Sequence, residues 1–138
     1  MPYSLETIHP LFIHFPIALL STGLFFDILA EIFDHENLEH AGFWCMLMGI
    51  ISCLFANFTG LMIFLTGGSL SDLPRFTHSL LAWGSTLIFI LLFWTRIKLD
   101  VDFHYSTLKR WIYLSIHILA IGILFYGAHL GAIAAERI

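Results

Sequence analysis

The sequence predicts an all-α integral membrane protein: a four-helix up-down bundle with both termini on the outer, periplasmic side. Three observations carry this. The 138 residues are 59% hydrophobic and only 12% charged. Four long runs poor in Asp, Glu, Lys and Arg reach or approach the ~20 residues that a spanning helix needs. Polar or breaker-rich connections separate those runs, so one small integral domain accounts for residues 1–138. A net charge of −4 argues against nucleic acid as a partner.

Span one is expected over residues 9–33. Its front is acidic rather than basic and lacks a small-residue cleavage site, so it does not read as a signal peptide. Pro10 falls near the first turn, where a backbone N–H is dispensable. Pro16 lies deeper, where it removes one hydrogen bond, frees the Phe12 carbonyl and is expected to kink the helix and re-aim His14. The polar hinge from Asp34 to His40 turns the chain. Span two, residues 41–67, carries no charge. The breaker-rich GGSLSDLP then leads to span three, residues 74–95. A longer connection from Arg96 to Arg110 precedes span four, residues 111–135. Cys45 and Cys53 lie ~12 Å apart along one helix and cannot form a disulfide. There is no C-x-x-C-H for covalent haem.

Orientation follows from the basic residues. Arg96, Lys98, Lys109 and Arg110 lie on one side, against Arg75 and Arg137 on the side of the termini. By the positive-inside rule the third connection is expected in the cytoplasm and both termini outside, a multi-pass, N-out and C-out arrangement. Trp44, Trp94 and Trp111 fall near the cytoplasmic ends of their spans, where indoles anchor.

The expected functional layer lies at the other rim. Imidazole inside a membrane segment normally faces the bundle interior or a pathway and finds a partner there. His14, His78 and His129 come from three spans and lie ~6–9 Å below one rim at 1.5 Å per residue. Small residues accompany each of them along its helix: Ala18 and Ser21, Ala82 and Ser85, Gly122 and Ser115. Span two has its own stripe of Cys45, Gly49, Ser52, Ala56 and Gly60. Such stripes let helices approach closely, or leave room for a flat macrocycle. Haem b needs an axial nitrogen on each side of iron. In a square bundle His14 and His78 are diagonal and form the natural bis-imidazole pair, with His129 and His9 as the competing or second pair.

Other readings stand beside this one. His9, ~140° around the helix from His14, also suits an interfacial cap. The histidines together also suit a hydrogen-bonded knot that holds helices in register, as in a non-catalytic scaffold or accessory subunit. A bare copper, zinc or iron ion suits imidazoles equally. His35, His40 and His104 read as solvated surface. His117 and Asp27 share a depth of ~27 Å from the outer rim and are expected to pair. No hydrolase or transferase signature is present: serines lack an adjacent acid–base pair, and there is no phosphate loop or H-E-x-x-H.

IHPLFIHFPIAL, with His9-Pro10, His14-Phe15-Pro16 and then Asp27, resembles the first helix of a family of small bacterial four-span proteins, domain of unknown function 2231. The resemblance extends over the chain through Ala56 and Gly60, His78, and the tail residues Gly122, Leu124, Tyr126 and His129. Leu130 departs from the pattern by separating His129 from Gly131. Some members of the family look to be joined to c-type cytochrome domains, which implies an outward-facing redox setting. The combined expectation is a membrane-bound b-type cytochrome in electron transfer. His14, His78, His129 and His9 would be the haem or metal ligands, and Tyr126 would lie beside the cofactor. Its partners would be the lipid bilayer and a periplasmic c-type cytochrome or quinone, in a homo-oligomer or as a subunit of a larger respiratory complex.

Overall fold

The computed structural model describes residues 5–67, 73–99 and 106–134. These form four helices: α1 Leu5–Phe33, α2 Glu36–Gly67, α3 Leu73–Lys98 and α4 Thr107–Ala134. All four are long and apolar enough to cross a membrane, and there is no strand among the described residues. The centre of the second turn (68–72), residues 100–105 with His104, and the tail 135–138 with Arg137 lie outside the described residues.

The helices overrun their expected ends, and the extra turns decide which side chains meet. α1 begins at Leu5 rather than His9 and keeps both Pro10 and Pro16 within it. Most of the expected hinge between α1 and α2 is helical, because Glu36 and Glu39 occupy the first turn of α2, where negative charge favours the helix dipole. The reversal is made at Asp34, whose φ of 49° is left-handed, a conformation that Asp tolerates better than most residues. The His35 carbonyl then accepts the N–H groups of Leu38 and Glu39 at 3.0 and 3.4 Å. α3 continues past Thr95 to Lys98 with Arg96 in its last turn. Arg96 is therefore a helix residue, and it is buried.

Neighbours follow chain order around a closed square: α1 on α2, α2 on α3, α3 on α4, and α4 back on α1. α1 thus faces α3 across the axis, as a plain up-down bundle requires. Lipid tails are as apolar as Leu, so close packing and interhelical hydrogen bonds hold the helices together rather than a hydrophobic driving force. The α2 stripe supplies the packing. A Cβ at Gly49 would stand 2.7 Å from the Leu20 side chain, and one at Gly23 would stand 3.3 Å from both Cys45 Cβ and the Gly42 carbonyl. α4 makes its close approach elsewhere than expected. Gly122 has open space and Ser115 is exposed, whereas Gly127 abuts Leu81 and Gly131 abuts His78. Both cysteines are free thiols.

Leu20, Met46, Phe89 and Ala120 are fully buried at mid-bundle. They divide the interior into two polar layers, one near the rim where α1 begins and one near the Asp34 turn.

Candidate functional site: a rim imidazole pair and a buried ion pair

His9 lies four residues into α1 and His78 five residues into α3, so antiparallel neighbours around the square bring both to one level at the α1 rim. Their ring centroids are 6.4 Å apart with planes at 82°. The diagonal α1–α3 pair expected of His14 and His78 is therefore formed by His9 and His78. The physical reason is helix phase: His9 lies seven residues before Pro16 on the α1 stripe that continues through Leu20, Gly23, Asp27 and Ala30, all of them buried. The ~140° step from His9 to His14 then turns His14 outward.

Each ring of the pair is oriented by a hydrogen bond at Nδ1. The Thr59 hydroxyl donates to the Ala56 carbonyl at 2.8 Å, so its oxygen accepts the Nδ1–H of His9, also at 2.8 Å. His78 donates its Nδ1–H to the Gly127 carbonyl at 2.7 Å, an atom that can only accept. In each neutral ring the nitrogen bearing the lone pair is then Nε2, and the bond at Nδ1 fixes the ring's tautomer and orientation as it does in coordinating histidines. Beneath the pair, Asn57 donates to Thr86 Oγ1 at 2.9 Å and Thr86 donates to the Ala82 carbonyl at 2.7 Å.

Gly60 and Gly131 make room for the two rings. An ideal Cβ at Gly131 would stand 2.8 Å from Cε1 of His78, and one at Gly60 would stand 3.1 Å from Cε1 of His9. Gly131→Ala is expected to rotate His78 off the Gly127 carbonyl at a cost of about 1 kcal/mol, read as a changed 15N signal of the His78 imidazole. Gly122→Ala, which meets nothing within 4 Å, is the control and should leave that signal in place.

The remaining expected site residues lie elsewhere. His14 is exposed, with Nδ1–H donated to the Pro10 carbonyl of its own helix at 2.6 Å. His129 and Tyr126 are also exposed on the outside of the bundle. His35 and His40 are exposed as expected, with His40 3.7 Å from Glu36.

The second layer joins all four helices. Asp27 on α1 receives Arg96 Nη1 of α3 at 2.8 Å, with both side chains about 5% exposed. Arg96 Nη2 donates to the Glu39 carbonyl of α2 at 2.8 Å, and Nη1 lies 3.3 Å from the Tyr113 hydroxyl of α4. Tyr113 donates in turn to Met46 Sδ at 3.1 Å. Next to this layer Arg110 Nε lies 2.5 Å from Glu31 Oε2, tying α4 to α1. His117 is near Asp27, as its depth implied, but at 3.8 Å the contact is too long for a hydrogen bond. Asp27 is instead paired by Arg96, which sequence reasoning assigned to a loop. The signal was present: Arg96 follows Trp94 by two residues, and a slightly longer span three draws it to the depth of Asp27.

The cavity around the rim pair has a volume of about 30 Å³ and is lined by His9, Pro16, Cys53, Asn57, His78 and Gly127 among others. That is room for an ion or one to two waters. Pockets for larger organic ligands run to roughly 300–1,000 Å³, so a porphyrin does not fit between these rings. No group of three or more His, Cys, Asp or Glu is placed to hold a metal ion among the described residues. The donors that line this space are the two imidazoles, with Cys53 and Asn57 beside them.

No curated protein and no solved structure matches the chain. Residues 5–138 match the model of a family described as predicted membrane protein. A chain of four apolar helices matched over nearly its whole length belongs to that family, DUF2231.

Proposed function

We propose that the rim pair is a transition-metal site and that the protein is a metal-binding membrane protein of the copper, zinc or iron class. The observation that carries this reading is the separation of the rings. With metal–nitrogen distances of about 2.0–2.1 Å, two imidazoles on one ion put their centroids roughly 5 Å apart at a tetrahedral angle and roughly 6.4 Å apart when opposed, so the 6.4 Å between His9 and His78 suits a nearly linear pair of nitrogens. An imidazole donor set without carboxylate disfavours magnesium and calcium and suits copper, zinc or iron. The site lies at the rim that we place outside, with the exposed indoles of Trp44, Trp94 and Trp111 at the cytoplasmic interface. Lys98 stands 5.3 Å over the Trp94 ring there.

The test is elemental analysis and an absorption spectrum of the full chain purified in mild detergent. About one bound ion per chain, lost in His9→Ala and His78→Ala and retained in His35→Ala, is the expected result. A Soret band and a sharp reduced α-band would replace this reading with haem b, the cofactor expected from the sequence, and would require α1 and α3 to part.

A second reading rests on a different observation: both rings already bond across helices, to Thr59 and to Gly127. As a scaffold or accessory subunit the protein would use the histidines only to hold helices in register. Metal-free, colourless protein in which His78→Ala lowers thermal stability alone would establish that role and overturn the metal site.

A further inference from the structure

His14 and His129 are ionisable side chains within spanning helices, yet both are exposed on the outside of the bundle. Such residues almost always face the interior or a pathway, so their position calls for a partner beyond the four helices.

The two lie on one groove. The Glu31–Arg110 ion pair marks where α1 and α4 face each other. His14 is seventeen residues before Glu31 and His129 nineteen after Arg110 on the antiparallel partner, which leaves them about 3 Å apart in level at 1.5 Å per residue. At ~100° per residue each stands ~100° from the contact line. Because the helices run in opposite directions, both rotations lead to the same, outer side of the α1–α4 plane. The opposite side is occupied: Gly23 of α1 meets α2, and Gly127 and Gly131 of α4 meet α3. Helical Cβ atoms tilt toward the helix N-terminus, which moves the His14 ring toward the rim and the His129 ring away from it, closing the remaining difference.

Two further features belong to this groove. The His14 Nδ1–H is committed to the Pro10 carbonyl, so the neutral ring presents Nε2 as an acceptor. Ser21, two turns deeper on the same stripe of α1, has a buried Oγ with no hydrogen-bond partner. Phe125, 51% exposed, stands ~60° from the contact line on the same side of α4.

We propose that the outer α1–α4 groove binds the headgroup of a lipid-soluble quinol or quinone. A groove that opens on hydrocarbon admits a ligand with an apolar body. The polar end must then meet an acceptor at His14 and an imidazole of either tautomer at His129. A quinol hydroxyl donates to His14 Nε2, the second ring oxygen accepts from His129 N–H, and Phe125 offers an aromatic contact to the ring. An anionic lipid headgroup would instead call for cations, and the groove at this level has no Lys or Arg among the described residues. The proposal concerns binding alone and does not rest on the metal site, which uses His9 and His78.

The full chain, with 15N-labelled histidine, is reconstituted in phosphatidylcholine nanodiscs and titrated with decylubiquinol and decylubiquinone. Saturable shifts of the His14 and His129 imidazoles are expected, with those of His9 and His78 unmoved. His14→Ala and His129→Ala should each weaken binding by about tenfold, the loss of one hydrogen bond, and circular dichroism should show the helices intact. His14→Phe, which keeps the groove filled, separates loss of the acceptor from loss of packing. Absence of saturable shifts, affinity unchanged in both alanine variants, or equal shifts on adding phosphatidylglycerol would overturn the proposal. The last outcome would assign the groove to a phospholipid headgroup.

Discussion

Asp27→Ala is expected to destabilise the bundle by about 3–5 kcal/mol, because it leaves the buried Arg96 guanidinium without its counter-charge. Arg96 is 5% exposed and Asp27 8% exposed, so each charge depends on the other rather than on bulk solvent. Arg96 also donates to the Glu39 carbonyl and touches Tyr113, so a single side chain of α3 reaches all three of the other helices. Arg96→Met should therefore cost about as much, leaving the Asp27 carboxylate unpaired. The double variant Asp27→Leu/Arg96→Met removes both charges and should recover most of the loss, as apolar replacement of a whole buried pair commonly does. Unfolding in mixed micelles with a double-mutant cycle reads this directly. Additive losses would show that the pair is not coupled.

Gly42→Ala is expected to produce the next largest loss, about 1–3 kcal/mol, by overpacking the α1–α2 interface. A Cβ at Gly42 would fall on Oδ1 of Asp27 and stand 3.2 Å from the Gly23 carbonyl. The carboxylate would have to leave its position against Arg96, so the packing of a glycine and the geometry of an ion pair are one constraint. In an Asp27→Ala background the carboxylate, the nearest obstacle, is gone, while the Gly23 carbonyl stays at 3.2 Å. The cost of Gly42→Ala should then shrink to a fraction of its value in the native chain, measured by the same unfolding experiment. An unchanged cost would locate the clash in the helix backbones alone.

Both predictions depend on the helix-to-helix approach at the Asp34 turn, and the rim pair depends on the same approach carried to the other end. Gly23, Gly49 and Gly60 keep α1 in register with α2 along its length. That register places His9 against Thr59 at one end and Asp27 near Glu39 and Arg96 at the other. A disturbance at Gly42 is thus expected to be felt at the His9 ring, through a shift of α1 along α2.

The four-helix class, the diagonal relation of α1 to α3, the free cysteines and the proximity of Asp27 to His117 were all readable from residues alone. Apolar runs of spanning length admit few architectures in lipid, since backbone polar groups must be satisfied within the segment, and antiparallel order fixes which ends share a rim. Which histidine meets which was decided by tertiary structure. The stripe of α1 that packs inward through Pro16, Leu20, Gly23 and Asp27 carries His9 with it and leaves His14 outside, because ~100° per residue puts residues five apart on different faces. Arg96 passed from loop to core for a different reason. Hydropathy places a boundary by the cost of exposing charge, whereas Asp27, Glu39 and Tyr113 on three neighbouring helices remove that cost. Composition carries no information about such partners until the helices are side by side.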